Sequence, residues 1–145
     1  MTLSENKLIR FMQNNIYHNE KLSKTEQFLQ ECGGWIRLLD FFKQENIYLK
    51  NRLSFVLDHK TETDFLPLAE QFQNQFILKD EFITEIIQDV KKQQTMLTDT
   101  AVKKIAAEEK LTKTQQKLRN EIEFLEKDFS ANKNQFNKFI SSVLE

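Results

Sequence analysis

After Pro67 the chain runs to Glu145 without a glycine or a further proline. Such a stretch lacks the residues that adopt positive φ or interrupt a helix, so it has few means of turning sharply. Gly33, Gly34 and Pro67 are the only glycines and proline in 145 residues. Strand-rich folds need a turn every eight to twelve residues or so, built largely from Gly, Pro, Asn and Asp. An all-β fold is therefore excluded, and a doubly wound α/β fold nearly so. The expected class is all-α, and the length bounds it to one domain or one elongated helical unit.

The apolar residues give that class an architecture. Trp35, Phe42, Leu49 and Val56 recur every seven residues, with Leu39, Asn46 and Leu53 interleaved at the four-residue offset. Both columns of a heptad seam are thus present, and a helix over 35–59 is predicted. Within it, the stretch from Gln44 to Leu53 resembles a leucine zipper, but no basic region precedes it and no family function is carried over. His59 to Thr63 is polar and β-branched, and Pro67 belongs in the first turn of a following helix, so a break is expected near 60–64. Ala69, Phe76, Ile83, Val90 and Leu97 then form one column, and Leu111, Leu118, Leu125 and Phe139 another, flanked by Ile122, Phe129, Phe136 and Val143. These predict helices over about 66–97 and 102–143.

The two columns stay in phase across the polar residues 91–100, so one unbroken helix of about 80 residues, roughly 120 Å long, is also allowed. Charge favours a hairpin. Residues 61–100 carry three basic and eight acidic side chains, whereas 1–60 and 101–145 each carry nine basic and seven acidic. Folding back packs the acidic helix between two mildly basic ones. Exposed ion pairs contribute at most ~1 kcal/mol each, so apolar burial must do most of the stabilising. Thirteen phenylalanines widen the apolar stripes, with Phe41 beside Phe42 and Phe72 near Phe76, which suggests that each helix touches more than one neighbour. The expected object is a set of long antiparallel coiled-coil helices forming a hairpin or bundle over residues 35–145. Residues 1–34 are expected to form two short helices ahead of it. The first covers 3–17 and begins with Thr2 and Glu5 at capping-box spacing; the second begins with Ser23 and Glu26 and ends at a Gly33–Gly34 break, where a helix C-cap needs positive φ.

Residue types that carry chemistry are sparse. The two histidines, His18 and His59, lack the Glu-x-x-His pairing of carboxylate-bridged metal bundles. Cys32 has no cysteine partner for a disulfide or a thiolate zinc site and reads as a small packing residue. No glycine-rich phosphate cradle, nucleophile elbow or Walker lysine is present, and no cofactor or metal is expected. Lysine and glutamate recur at i to i+4, as in Glu109 with Lys113 and Glu123 with Lys127, the pattern of a solvated face. The basic run Lys103, Lys104, Lys110, Lys113, Lys117 and Arg119 is interrupted by Glu108, Glu109 and Glu121, so no nucleic-acid partner is expected. Net charge is -1, and neither a secretory signal nor an apolar span of about 18 residues is visible, which predicts a cytoplasmic chain without membrane attachment.

His18 and Lys21 resemble the His-x-x-Lys core of histidine phosphotransfer domains, although Leu22 stands where that motif has glycine and Glu20 where it has an apolar residue. The resemblance implies an alternative function as a phosphotransfer bundle using His18. A further alternative is a non-catalytic subunit of an enzyme or larger complex. The leading expectation is a non-catalytic oligomerisation or adaptor module that binds a copy of itself or another helical protein, with no small-molecule substrate. Trp35, Leu39, Phe42, Leu49, Leu53 and Val56 are the expected interface, with Asn46 either setting register in the seam or marking where it meets water.

Overall fold

The computed structural model describes residues 7, 23–59, 64–99 and 105–144. The helix expected over 3–17, apart from Lys7, and the phosphotransfer candidate His18 lie outside them. Three α-helices and no strand are present among the described residues: α1 (Lys24–His59), α2 (Leu66–Thr98) and α3 (Ile105–Leu144). All three touch one another.

Local chemistry sets the ends. Ser23 caps α1, its Oγ accepting the Glu26 backbone N–H at 3.1 Å, which satisfies one of the donors a helix start leaves unpaired. Pro67 sits in the first turn of α2, where its missing N–H costs nothing. At the far end of α2, the Thr98 hydroxyl donates back to the Thr95 carbonyl at 3.0 Å, and Asp99 turns extended with φ −73° and ψ 114°. Thr98 therefore closes α2, and the chain folds back between α2 and α3.

The glycine pair departs from expectation. Gly33 and Gly34 lie inside α1, and neither has positive φ. The break expected at Gly33–Gly34 is therefore absent, and one helix of 36 residues replaces a short helix followed by a long one. Packing explains this: Cys32 and Trp35, on either side of the pair, are both buried. Burial on both sides outweighs the roughly 1 kcal/mol per glycine that helix propensity costs. The division of the chain at residue 34 thus falls within a continuous helix.

Contacts between named residues give the direction of each helix. Asn46 reaches Phe76 and Asp80, and Lys50 also reaches Asp80. Gln93 meets Gln115, Phe82 meets Phe124, and Phe72 meets Phe136 and Phe139, so numbers fall along α2 as they rise along α3. Glu31 pairs with Arg119, Phe42 with Phe129 and Glu45 with Lys133, so α1 and α3 ascend together. The fold is an up-down-up three-helix bundle.

The heptad columns become its core. Trp35, Leu39, Phe42, Leu49, Leu53 and Val56 from α1, Ala69, Phe76, Ile83, Val90 and Leu97 from α2, and Leu118, Ile122, Leu125, Phe129, Phe136 and Phe139 from α3 are all buried. Leu111 and Val143 pack at its margin. No helix among the described residues is long and apolar enough to cross a membrane.

Candidate interaction surface

The seven residues assigned from sequence to an intermolecular interface face the interior of their own chain. Trp35, Leu39, Phe42, Asn46, Leu49, Leu53 and Val56 are all buried. The seam they form is filled by α2 and α3, so in this fold it is not a surface for a partner. A three-helix bundle within one chain supplies the neighbours that a self-associating hairpin would otherwise have had to borrow.

Asn46 is part of that seam and does not meet water: it is 0% exposed. Its Nδ2 donates to the Phe76 carbonyl at 2.9 Å and to Asp80 Oδ1 at 2.6 Å. Both neighbours are acceptors, which fixes the amide orientation and leaves Oδ1 buried without a donor. An orphaned buried acceptor costs about 1–3 kcal/mol. Asn46 is thus a polar tooth that ties α1 to one register on α2. Lys50 adds an ion pair to the same Asp80 carboxylate.

A second polar group joins the end of the bundle where α1 begins. Gln115, fully buried, donates from Nε2 to the Phe28 carbonyl at 3.2 Å and to Glu31 Oε1 at 2.9 Å. Its Oε1 accepts from Gln93 Nε2 at 3.1 Å and from the Cys32 thiol at 3.7 Å. Gln93 Nε2 also donates to the Leu111 carbonyl at 2.9 Å. Arg119 closes the group with two hydrogen bonds to Glu31, at 3.0 and 2.7 Å. Burial pushes the Glu31 carboxyl up, but hydrogen bonds from Arg119 and Gln115 together with the Arg119 charge outweigh it and leave it below its ordinary value. The Cys32 thiol is raised, first by burial and further by the Glu31 charge, against a hydrogen bond from Gln115. Cys32 itself is fully buried in mid-helix, among the packed side chains of the bundle.

The ion pairs do not follow the charge expectation: of the four between helices among the described residues, two join α1 to α3, Glu31 with Arg119 and Glu45 with Lys133. Asp80 of the acidic helix pairs with Lys50 of α1, whereas Lys79 of the acidic helix pairs with Asp128 of α3. Lys79 is largely buried, and that burial lowers its pKa. It lies in a groove of about 390 Å³ between α2 and α3, with Leu78, Phe82, Phe124 and Asn132 along the walls. His59, the last residue of α1, stacks on Phe55 at 4.1 Å and holds its carbonyl through Nδ1 at 2.8 Å. No group of three or more His, Cys, Asp or Glu side chains that could hold a metal ion occurs among the described residues.

What lies outside the core is more apolar than a solvated face requires. Phe41, Tyr48 and Phe55 on α1 are 55%, 56% and 58% exposed, and each precedes a buried residue of the seam by one position. Phe41 therefore does not widen the core stripe as its neighbour Phe42 suggests; the helix turns it outward. Leu78, Ile77 and Phe124 are exposed on α2 and α3. The spacing of 41, 48 and 55 is legible in the sequence, but it is overshadowed there by the stronger column beside it. Gln93 and Gln115 also stand in heptad columns, with Ile86 and Ile122 each one heptad away. A polar residue at a seam position is the signal that marks them.

Comparison of the chain with protein-family models, with curated proteins and with solved structures finds no match.

Proposed function

We propose that this chain is a non-catalytic helical module that works by protein–protein contact through the outward faces of its bundle. The observation that carries the reading is the aromatic column Phe41, Tyr48 and Phe55, which stays on the solvent side although α1 already has a complete buried seam. Apolar side chains aligned along one helix face, rather than scattered over the surface, support an interaction site. The polar groups support it too. Asn46, Gln93 and Gln115 are engaged in interhelix hydrogen bonds, which suits a rigid scaffold rather than a reaction centre. Oligomerisation, adaptor work and service as a subunit of a larger assembly are forms of this one activity.

The test is photo-cross-linking in cells, with a photoreactive phenylalanine analogue placed in turn at Tyr48, at Leu78 and, as a polar control, at Glu81. Discrete adducts from position 48 or 78 that exceed those from 81 are expected. Equal labelling at all three positions, or none, overturns the reading.

A further inference from the structure

The order of side chains along the outer face of α1 selects an occupant for it. Phe41, Tyr48 and Phe55 are spaced so that reversing the helix about Tyr48 exchanges the two phenylalanines and returns the tyrosine to itself. The residues flanking this column share the property. On one flank stand the exposed residues Arg37, Gln44, Asn51 and Asp58. Arg37 is eleven residues before Tyr48 and Asp58 ten after it, roughly 16 and 15 Å along the axis. Reversal brings one level with the other, and Gln44 level with Asn51. On the opposite flank, Glu45 comes level with Arg52 and Leu38 with His59.

We propose that a second copy of this chain occupies this face, the two α1 helices lying antiparallel about a twofold axis at Tyr48. The proposal rests on the interaction reading above and names its partner. In such an isologous pair each flank of one helix meets the same flank of the other. Phe41 then packs on Phe55, Tyr48 on Tyr48, and Arg37 faces Asp58 twice, once on each side of the axis. Glu45 and Arg52 also face one another twice. Both are already held at the edge of the column by α3: Glu45 accepts from Lys133 at 3.2 Å, and Arg52 donates to Asn137 at 3.2 Å. The new pair therefore extends an existing polar rim and needs little further ordering of side chains. A parallel pair would cross the flanks instead, setting Arg37 against Leu38 and Asn51 against Arg52, and would leave these opposite charges unmatched. The matched segment, about 32 Å of one helix face, is smaller than a standard interface, so a dimer of micromolar affinity is expected.

Sedimentation or light scattering of the full chain from about 1 µM to 1 mM reads that affinity. Arg37→Asp and Asp58→Arg should each weaken the dimer by about tenfold, and the two together should restore it. Under mild oxidation Tyr48→Cys should form a disulfide-linked dimer. Gln44→Cys should not, because the twofold sets position 44 against position 51, leaving the two cysteines about 12 Å apart along the axis, beyond disulfide reach. These positions are exposed, so helicity by circular dichroism should be unchanged in every variant. A dimer indifferent to charge reversal, or linking equally at 44 and 48, overturns the α1 pairing and leaves the interaction reading standing. A chain monomeric throughout overturns the pairing as well, and the photo-adducts then decide the interaction reading separately.

Discussion

Where α1 ends and α2 begins, Phe72, Phe76, Phe136 and Phe139 pack ring on ring with centroids 5.0–6.4 Å apart; where α1 begins and α2 ends, Gln93, Gln115, Glu31 and Arg119 are joined by directed hydrogen bonds. The first arrangement draws on apolar area and tolerates small changes of angle, since edge-on and offset ring contacts are close in energy. The second is demanding, because each donor and acceptor must find its partner or bear the cost of lost solvation. Apolar packing thus supplies strength at one end, while polar geometry supplies discrimination at the other. A bundle built of aromatic layers alone could slide or rotate among near-equivalent packings; the polar end removes most of those choices.

The contrast can be broken most directly at Phe136, which is fully buried and edge-on to both Phe72 and Phe76. Phe136→Ala should cost about 3–5 kcal/mol in chemical denaturation, a large part of the stability of a small domain. A loss under about 1 kcal/mol would show that the rings are not the main anchor. Smaller but more diagnostic is Gln115→Leu, expected to cost about 1–2 kcal/mol because it deprives Gln93, Glu31 and Cys32 of a partner while keeping the volume. Adding Gln93→Leu should recover much of that loss, since removing both partners leaves less polar surface stranded. Additive losses would mean that the two glutamines act independently. The smallest effect is acid sensitivity. Glu31 has a folded pKa below its unfolded one, so its contribution is complete above the unfolded value of about 4.3 and is lost as pH falls through the folded value. Acidification below that range should loosen the polar end first, seen as faster amide exchange around Glu31 than around Val56. Glu31→Gln should abolish that selective loosening.

The class, the helices α2 and α3 and the core were legible in the sequence because burial imposes a seven-residue rhythm that little else produces. Phe76, Ile83, Val90, Leu118 and Leu125 sit where that rhythm places them. The rhythm is silent on which chain covers a seam. Trp35 to Val56 would look the same whether it faced its own α2 and α3 or another molecule, and so an internal face was assigned to a partner. The glycine pair misled for a related reason: local preference argued for a stop, whereas the buried residues on either side, Cys32 and Trp35, argue for continuity and carry the greater energy. The outward column at 41, 48 and 55 needed the structure, since adjacent columns on one helix cannot be ranked by burial until the neighbours are placed.

Asn46 has a mechanical consequence. Were α1 to slip along α2 by one turn, Phe42 in one direction, or Leu49 beside Lys50 in the other, would arrive opposite the Asp80 carboxylate, and the amide would leave its two acceptors. Shear between these helices therefore costs the hydrogen bonds of one residue near the middle of α1.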